Sequence, residues 1–245
     1  MTTTPPSVAL EPYLSLTSPV FIESLNRPKT DPELGQAIHD HLEAYGLENP
    51  VHYNRPADSE AAHRALVNGI RHAFYHMSVD LEDPSMQDTP KRFADMFIGE
   101  LTKGLNYHFF PKCTATPALD DQMVLVRNCR VTSLCEHHLQ TIDGYAHIAY
   151  IPNKKLLGLS KFARVVEFFS RRPQVQERLT AQIYYALSYV LETQDIAVVI
   201  NATHYCMKAR GALQDSATTQ TDKMGGKFLS NPTARGEFFD AIRTI

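Results

Sequence analysis

Nowhere in its 245 residues does the chain hold a run of about 20 apolar side chains, the length a helix needs to cross a bilayer, so no membrane span is expected. Cysteine is scarce. Cys113, Cys129, Cys135 and Cys206 form no C-x-x-C pair and are too few for a disulfide scaffold, which leaves thiols, metal ligands or buried fillers. Positive charge is not in excess: 24 Lys and Arg against 27 Asp and Glu leave a formal net charge of -3. That balance excludes a protein-wide field for nucleic acid, and any anionic ligand needs a local basic cluster. Internal repeats and low-complexity blocks are missing after the first thirty residues. The first thirty residues show no basic segment ahead of an apolar run, so no secretory signal is read and the cytoplasm is the expected compartment. What remains is globular in composition, 43% hydrophobic and 21% charged, with chain enough for one large domain or two small ones.

Residues 1–30, rich in Pro, Ser and Thr, read as an arm outside the fold. Helical spacing of apolar residues predicts helices over 32–45 and 59–77, the latter carrying Ala62, Leu66, Ile70 and Phe74, with Asp31 and Ser59 placed to cap them. A third begins at Asp88-Thr89-Pro90 and lines Phe93, Phe97 and Leu101 on one face. After Pro111 the period changes, and 123–131, 141–151 and 196–209 are predicted strands. Between the last two, Ser160 starts a short helix to 172, and Pro173 opens a long one with a stripe of Val175, Leu179, Ile183, Leu187 and Val190. The division that follows is a helical region over 31–110 and an α+β domain over 111–245.

Two segments concentrate metal-type side chains. Cys135-Glu136-His137-His138 follows the first predicted strand, where a turn lets Cys135 and His138 converge; His204 and Cys206, two apart, are expected on one face of the last strand. Two thiolates and an imidazole suit zinc and leave a fourth position open, as catalytic sites do. A closed structural zinc, or a set of unrelated buried positions, fits the same spacing. Cys113 and Cys129 belong to no such motif and read as fillers. His72 and His76 lie four apart on a helix, but Ala73 stands where a zinc protease needs glutamate, so a solvated face is expected. Ser160, Lys161 and Arg164 gather at a helix start, where free N–H groups suit phosphate oxygens or where a capped helix simply carries charge. Gln176 and Glu177 open the next helix, where an acid is favoured by the dipole alone. Arg210 follows the last strand, and Arg92 sits in a first turn where a cation is locally unfavourable.

With these residues in place, the chain resembles the GTP cyclohydrolase I family. CEHH, TIDGYAHIAYIP, GLSKFARVVEFFSRRPQVQERLTAQI and THYCMKARG are similar to family blocks in the same order, with DTPKRFADMF upstream. The likeness runs from about residue 60 to the end. It implies hydrolysis of GTP to 7,8-dihydroneopterin triphosphate and formate, the opening step of pterin, folate or tetrahydrobiopterin synthesis. It further implies zinc held by Cys135, His138 and Cys206, with His137 and His204 as acid/base groups. Guanine would be recognised by Glu177 with Gln176 nearby, and the triphosphate by Ser160, Lys161, Arg164, Arg210 and, from an adjoining subunit, Arg92. The fold implied is the tunnelling fold, an antiparallel sheet with helices on one face, assembled into homodecamers with active sites between subunits. A zinc deaminase is the nearest rival enzyme, disfavoured because no P-C-x-x-C follows. A non-catalytic GTP-binding scaffold is the rival of another class.

Overall fold

The computed structural model describes residues 30–52 and 57–243; the expected arm, up to residue 29, lies outside them. Helix α1 (Pro32–Ala44) starts where Asp31 Oδ1 accepts the Leu34 N–H at 3.0 Å, with Pro32 presetting φ in the first turn. Helix α2 (Ser59–His76) is capped by Asp58 and not by the expected Ser59: the Asp58 carboxylate accepts the Ala61 N–H at 2.8 Å. A charged acceptor at the positive end of the helix outdoes a hydroxyl there. Helix α3 (Thr89–Met96) continues into a π turn, Phe97–Leu101, and Phe93 stacks on Phe97.

A two-stranded ladder joins β1 (Ala115–Pro117) and β4 (Lys155–Leu157). The main sheet has five strands: β2 (Val124–Cys135), β3 (Thr141–Tyr150), β5 (Pro173–Gln174), β6 (Ile196–His204) and β7 (Thr219–Met224). They lie in the order β5-β2-β3-β6-β7, antiparallel throughout except for β5 against β2. Between them come helix α4 (Leu159–Ser170) and helix α5 (Gln176–Leu191).

Three expectations shift here. Pro173 does not open the long helix; it pairs with Leu134 in the sheet, and α5 begins at Gln176. The strand expected over 196–209 ends at His204, and one helical turn, α6 (Tyr205–Lys208), follows. Its neighbour explains the stop: β3 reaches His204 with Ile142 and starts at Thr141, so the backbone beyond must bond within itself. β7 was not expected, because TQTDKM carries one large apolar residue and reads as loop until β6 offers it an edge.

Across the sheet, the pleat divides β3 and β6 cleanly. Ala146, Ile148, Tyr150, Val198 and Ile200 join one core with Phe162, Val165, Leu179 and Ile183 of α4 and α5, and with Ile38 and Leu42 of α1. Ala149, Ala197, Val199 and Met224 form a second core with Phe228 and Phe238, from α7 (Lys227–Ser230) and α8 (Pro232–Arg243). Helices therefore cover both faces, where one was expected, because central strands apolar on both sides need cover on both. No helix among the described residues is long and apolar enough to cross a membrane.

One irregularity in β2 positions Cys135. Val126 pairs with Ile148 and Cys129 with Ala146, so β2 carries one residue more than β3 across Arg127 and Asn128, and Asn128 takes φ of 58°. The bulge reverses the parity of β2. Val124 and Val126 before it, and Cys129, Val131 and Cys135 after it, all face the α4/α5 core. Without the extra residue, Cys135 would point to the opposite face.

Candidate active site

β2 and β6 flank β3 and run in the same direction, so their C-terminal ends meet at one end of the sheet. Cys135 closes β2. The Cys135 N–H donates to Gln140 O at 2.7 Å and the Leu139 N–H returns to Cys135 O at 2.8 Å, folding 135–140 into a tight loop with Leu139 at φ of 53°. A non-glycine residue there costs about 1–2 kcal/mol, the kind of strain that gathers at sites of chemistry. His138 is brought back over Cys135 by this loop, and the turn of α6 delivers Cys206 from across β3. The ligand atoms of Cys135, His138 and Cys206 all lie within 4.8 Å of one another. Cys206 reaches them from a helical turn and not, as expected, from the strand face of His204. Both cysteines are free thiols. Burial, then the hydrogen bond and charge shared with Cys135, push the Cys206 thiol up from its ordinary value.

Two further histidines border the cluster. His137 is exposed, with Nδ1 3.8 Å from the Cys135 sulfur. His204 is half-buried and its Nε2 lies 2.8 Å from Gln176 Oε1. The Gln176 amide nitrogen faces the carbonyls of Ile200 and Thr219 at 3.1 and 3.0 Å, which are obligate acceptors, so the amide cannot be reversed. Its oxygen is thus the acceptor, His204 Nε2 carries a hydrogen, and the neutral ring keeps its lone pair on Nδ1. Burial lowers the His204 pKa, and the negative charge of Glu177 partly opposes the shift.

Gln176, expected near a guanine ligand, is 1% exposed, and its amide is engaged by the protein. Glu177, next to it in the first turn of α5, is exposed and near enough to act on His204. Arg210 is exposed and its charge reaches Cys206. Ser160, Lys161 and Arg164 open α4, the first exposed and the other two half-buried. Among the described residues no hydrogen bond or ion pair joins these three side chains to the cluster. Arg92 stands apart on α3, 3.2 Å from Asp88, which offsets the unfavourable cation at a helix start. Cys113 and Cys129 also lie outside the cluster, both thiols pushed up to about 11 chiefly by burial. His72 and His76 are exposed and meet edge to face.

A cleft of about 330 Å³ opens beside His137, lined also by Asn49, Pro50, Val51, Leu105, Glu136 and Pro173. Neither Glu177 nor Lys161 lines it, so this cleft does not span the expected nucleotide contacts. Sequence reasoning named Gln176 but not its bond to His204, and it missed Arg178 and Gln174 behind Glu136. Glu136, lodged between a thiol and two imidazoles in CEHH, was the available signal.

Residues 66–243 match the family model for GTP cyclohydrolase I. GTP cyclohydrolase 1 of Vibrio cholerae serotype O1 is 44% identical over 213 residues, 86% of this chain and 98% of that protein. The Aeromonas hydrophila protein of the same name is 45% identical over 204 residues, covering 82% and 93%. That of Shewanella loihica is 46% identical over 208 residues, covering 84% and 97%.

Proposed function

The chain belongs to the GTP cyclohydrolase I family, and on that premise we propose how its residues carry out the family's reaction, the hydrolysis of GTP to 7,8-dihydroneopterin triphosphate and formate. The convergence of Cys135, His138 and Cys206 at one end of the sheet, with His204 and Glu177 beside them, is the observation that carries the reading.

The donor set fits a metal ion, and zinc in particular. Two free thiols and an imidazole are soft to intermediate ligands of the type zinc takes, and three protein donors leave a position open. Burial first, and then the neighbouring Cys135 sulfur, disfavour the Cys206 thiolate, and a divalent cation held between the two sulfurs would offset both. The chemistry such an ion supplies when bound is Lewis acidity, enough to bring the pKa of water from about 15.7 to about 7.

Opening the imidazole ring of guanine requires water to add at C8 and a proton to arrive at N7; opening the ribose requires a second transfer. His137 and His204 are the groups to hold and hand over those protons. Gln176 holds Nε2 of His204, so its Nδ1 is the exchanging atom. Glu177 accepts from N1–H and the exocyclic amine of guanine, adjacent donors that a carboxylate pairs with. Adenine carries an acceptor at N1 and leaves two acceptors facing each other, a mismatch able to discriminate by orders of magnitude. Lys161, Arg164, Ser160 and Arg210 bind the triphosphate, at short range where their charges outweigh a screened net charge of -3. Arg92, remote from the cluster in its own chain, serves a neighbouring subunit. The assembly is a homodecamer of tunnelling-fold subunits working in the cytoplasm, with residues 31–110 as its helical region and 111–245 as its catalytic domain.

Incubation with GTP decides the reading. Formate and a pterin, fluorescent after oxidation, are the expected products; ammonia would mark a deaminase, and bound but unchanged GTP a scaffold. Cys206→Ser is expected to lose zinc, by elemental analysis, and formate release together. Wild-type turnover in that variant would remove Cys206 from the ligand set.

A further inference from the structure

Between the metal-type loop and the helix that carries Glu177 lies a polar bridge with no assigned part in the reaction. Arg178, the residue after Glu177, directs its guanidinium at the Glu136 carboxylate, an ion pair whose side chains are 16% and 23% exposed. Its Nε donates to Gln174 Oε1 at 3.1 Å. Gln174 is fully buried, and its amide nitrogen donates to Phe169 O at 2.9 Å and Gln182 Oε1 at 2.7 Å, so the oxygen is the acceptor, taking Arg178 Nε and, at 3.5 Å, Asn49 Nδ2. The Gln174 backbone carbonyl, in turn, accepts the Glu136 N–H at 3.0 Å. One buried residue therefore grips both sides: its main chain holds the Cys135–His138 loop and its side chain aims the arginine at that loop's carboxylate.

We infer that Arg178 is a positioning residue which, acting through Glu136, holds the 135–140 loop in its ligating shape and in register with Glu177. The inference rests on the proposed roles of the thiol cluster and of Glu177. Its physical content is geometric and electrostatic. The loop contains a left-handed Leu139, so it is strained and needs outside restraint to keep one conformation. Glu136 adds a carboxylate next to a pair of sulfurs that both become negative when an ion is held, and Arg178 balances that charge. Arginine suits the task because its planar fork makes two directed bonds, one to Glu136 and one to Gln174. Lysine could supply the charge and only one of them.

The test uses full-length protein. Arg178→Met keeps the aliphatic stem and is expected to weaken zinc binding about 10–100-fold, the usual cost of losing a group that orients a ligand loop, measured by competition with a chelator. At saturating zinc its kcat for GTP falls by about the same factor while KM changes less than about threefold, since the phosphate contacts remain. Arg178→Lys lies between it and wild type. Glu136→Gln matches Arg178→Met, and the double variant is no worse than either alone, the mark of two residues acting as one unit. Zinc affinity and kcat within about twofold of wild type in Arg178→Met, or losses that multiply in the double variant, overturn the inference. A lowered melting temperature with unchanged zinc affinity per folded chain does so as well, by showing a structural role only. Wild-type protein that binds zinc yet releases no formate would defeat the proposed reaction, while the zinc competition would still decide the part of Arg178.

Discussion

Glu177 and Gln176 are adjacent in sequence and opposite in circumstance. The first turn of α5 presents Glu177 to solvent, free to meet a ligand, while Gln176 turns inward and its amide bonds Ile200, Thr219, Thr221 and His204. Both were readable as polar residues at a helix start; which one faced solvent was not, because a 100° step around the helix is fixed only once α5 has docked on β6. The Glu177→Gln variant separates their roles. It replaces one of two acceptors with a donor, so kcat/KM for GTP is expected to fall about 100-fold, roughly the worth of a hydrogen bond to a charged group. Selection against ATP weakens in step and zinc content stays at the wild-type level. Unchanged GTP-over-ATP preference in competition assays would remove Glu177 from guanine recognition.

At the scale of elements, the decisive feature is the extra residue in β2. The start of α1 was legible because Asp31 and Pro32 leave local marks, and β3 and β6 because Val, Ile and Tyr alternate or run together. Arg127 and Asn128 left none. Their bulge exists as a mismatch between two strands, and a mismatch is a property of the pair. Asn128 is among the few residue types that accept a positive φ without a large penalty, so Asn128→Val should destabilise the protein by about 1–2 kcal/mol and Asn128→Gly should be nearly neutral. Urea denaturation of the two variants measures the difference. Equal midpoints would show that the position makes no conformational demand. The same reasoning explains the shortened β6: alternation continued through Tyr205 on paper, but no neighbouring strand was there to bond it.

For the whole molecule, the helical region is the least covered part among the described residues. α2 runs for 18 residues without one buried side chain, and it contacts chiefly α3. Leu66, Ile70 and Phe74 are only half-covered, and Tyr75 and Met77 are 76% and 67% exposed. An amphipathic helix of this length takes most of its stability from packing of its apolar face, and in the proposed decamer a second copy supplies that packing. Native mass spectrometry or light scattering should therefore give about ten times the 27.6 kDa of one chain, as the proposed decamer requires. A monomer at micromolar concentration would contradict it and leave Arg92 without a site to serve. The identity and spacing of the chemistry-bearing side chains were determined by the sequence itself, since a thiol or an imidazole has its ligand chemistry wherever it is placed. Tertiary structure alone decided which of them meet. Cys135 and Cys206 lie 71 positions apart along the chain, and they converge because β2 and β6 run the same way around β3 and because one bulged residue turns Cys135 toward the shared face. Pairing partners and sheet parity arise between segments, and no single stretch of residues contains them.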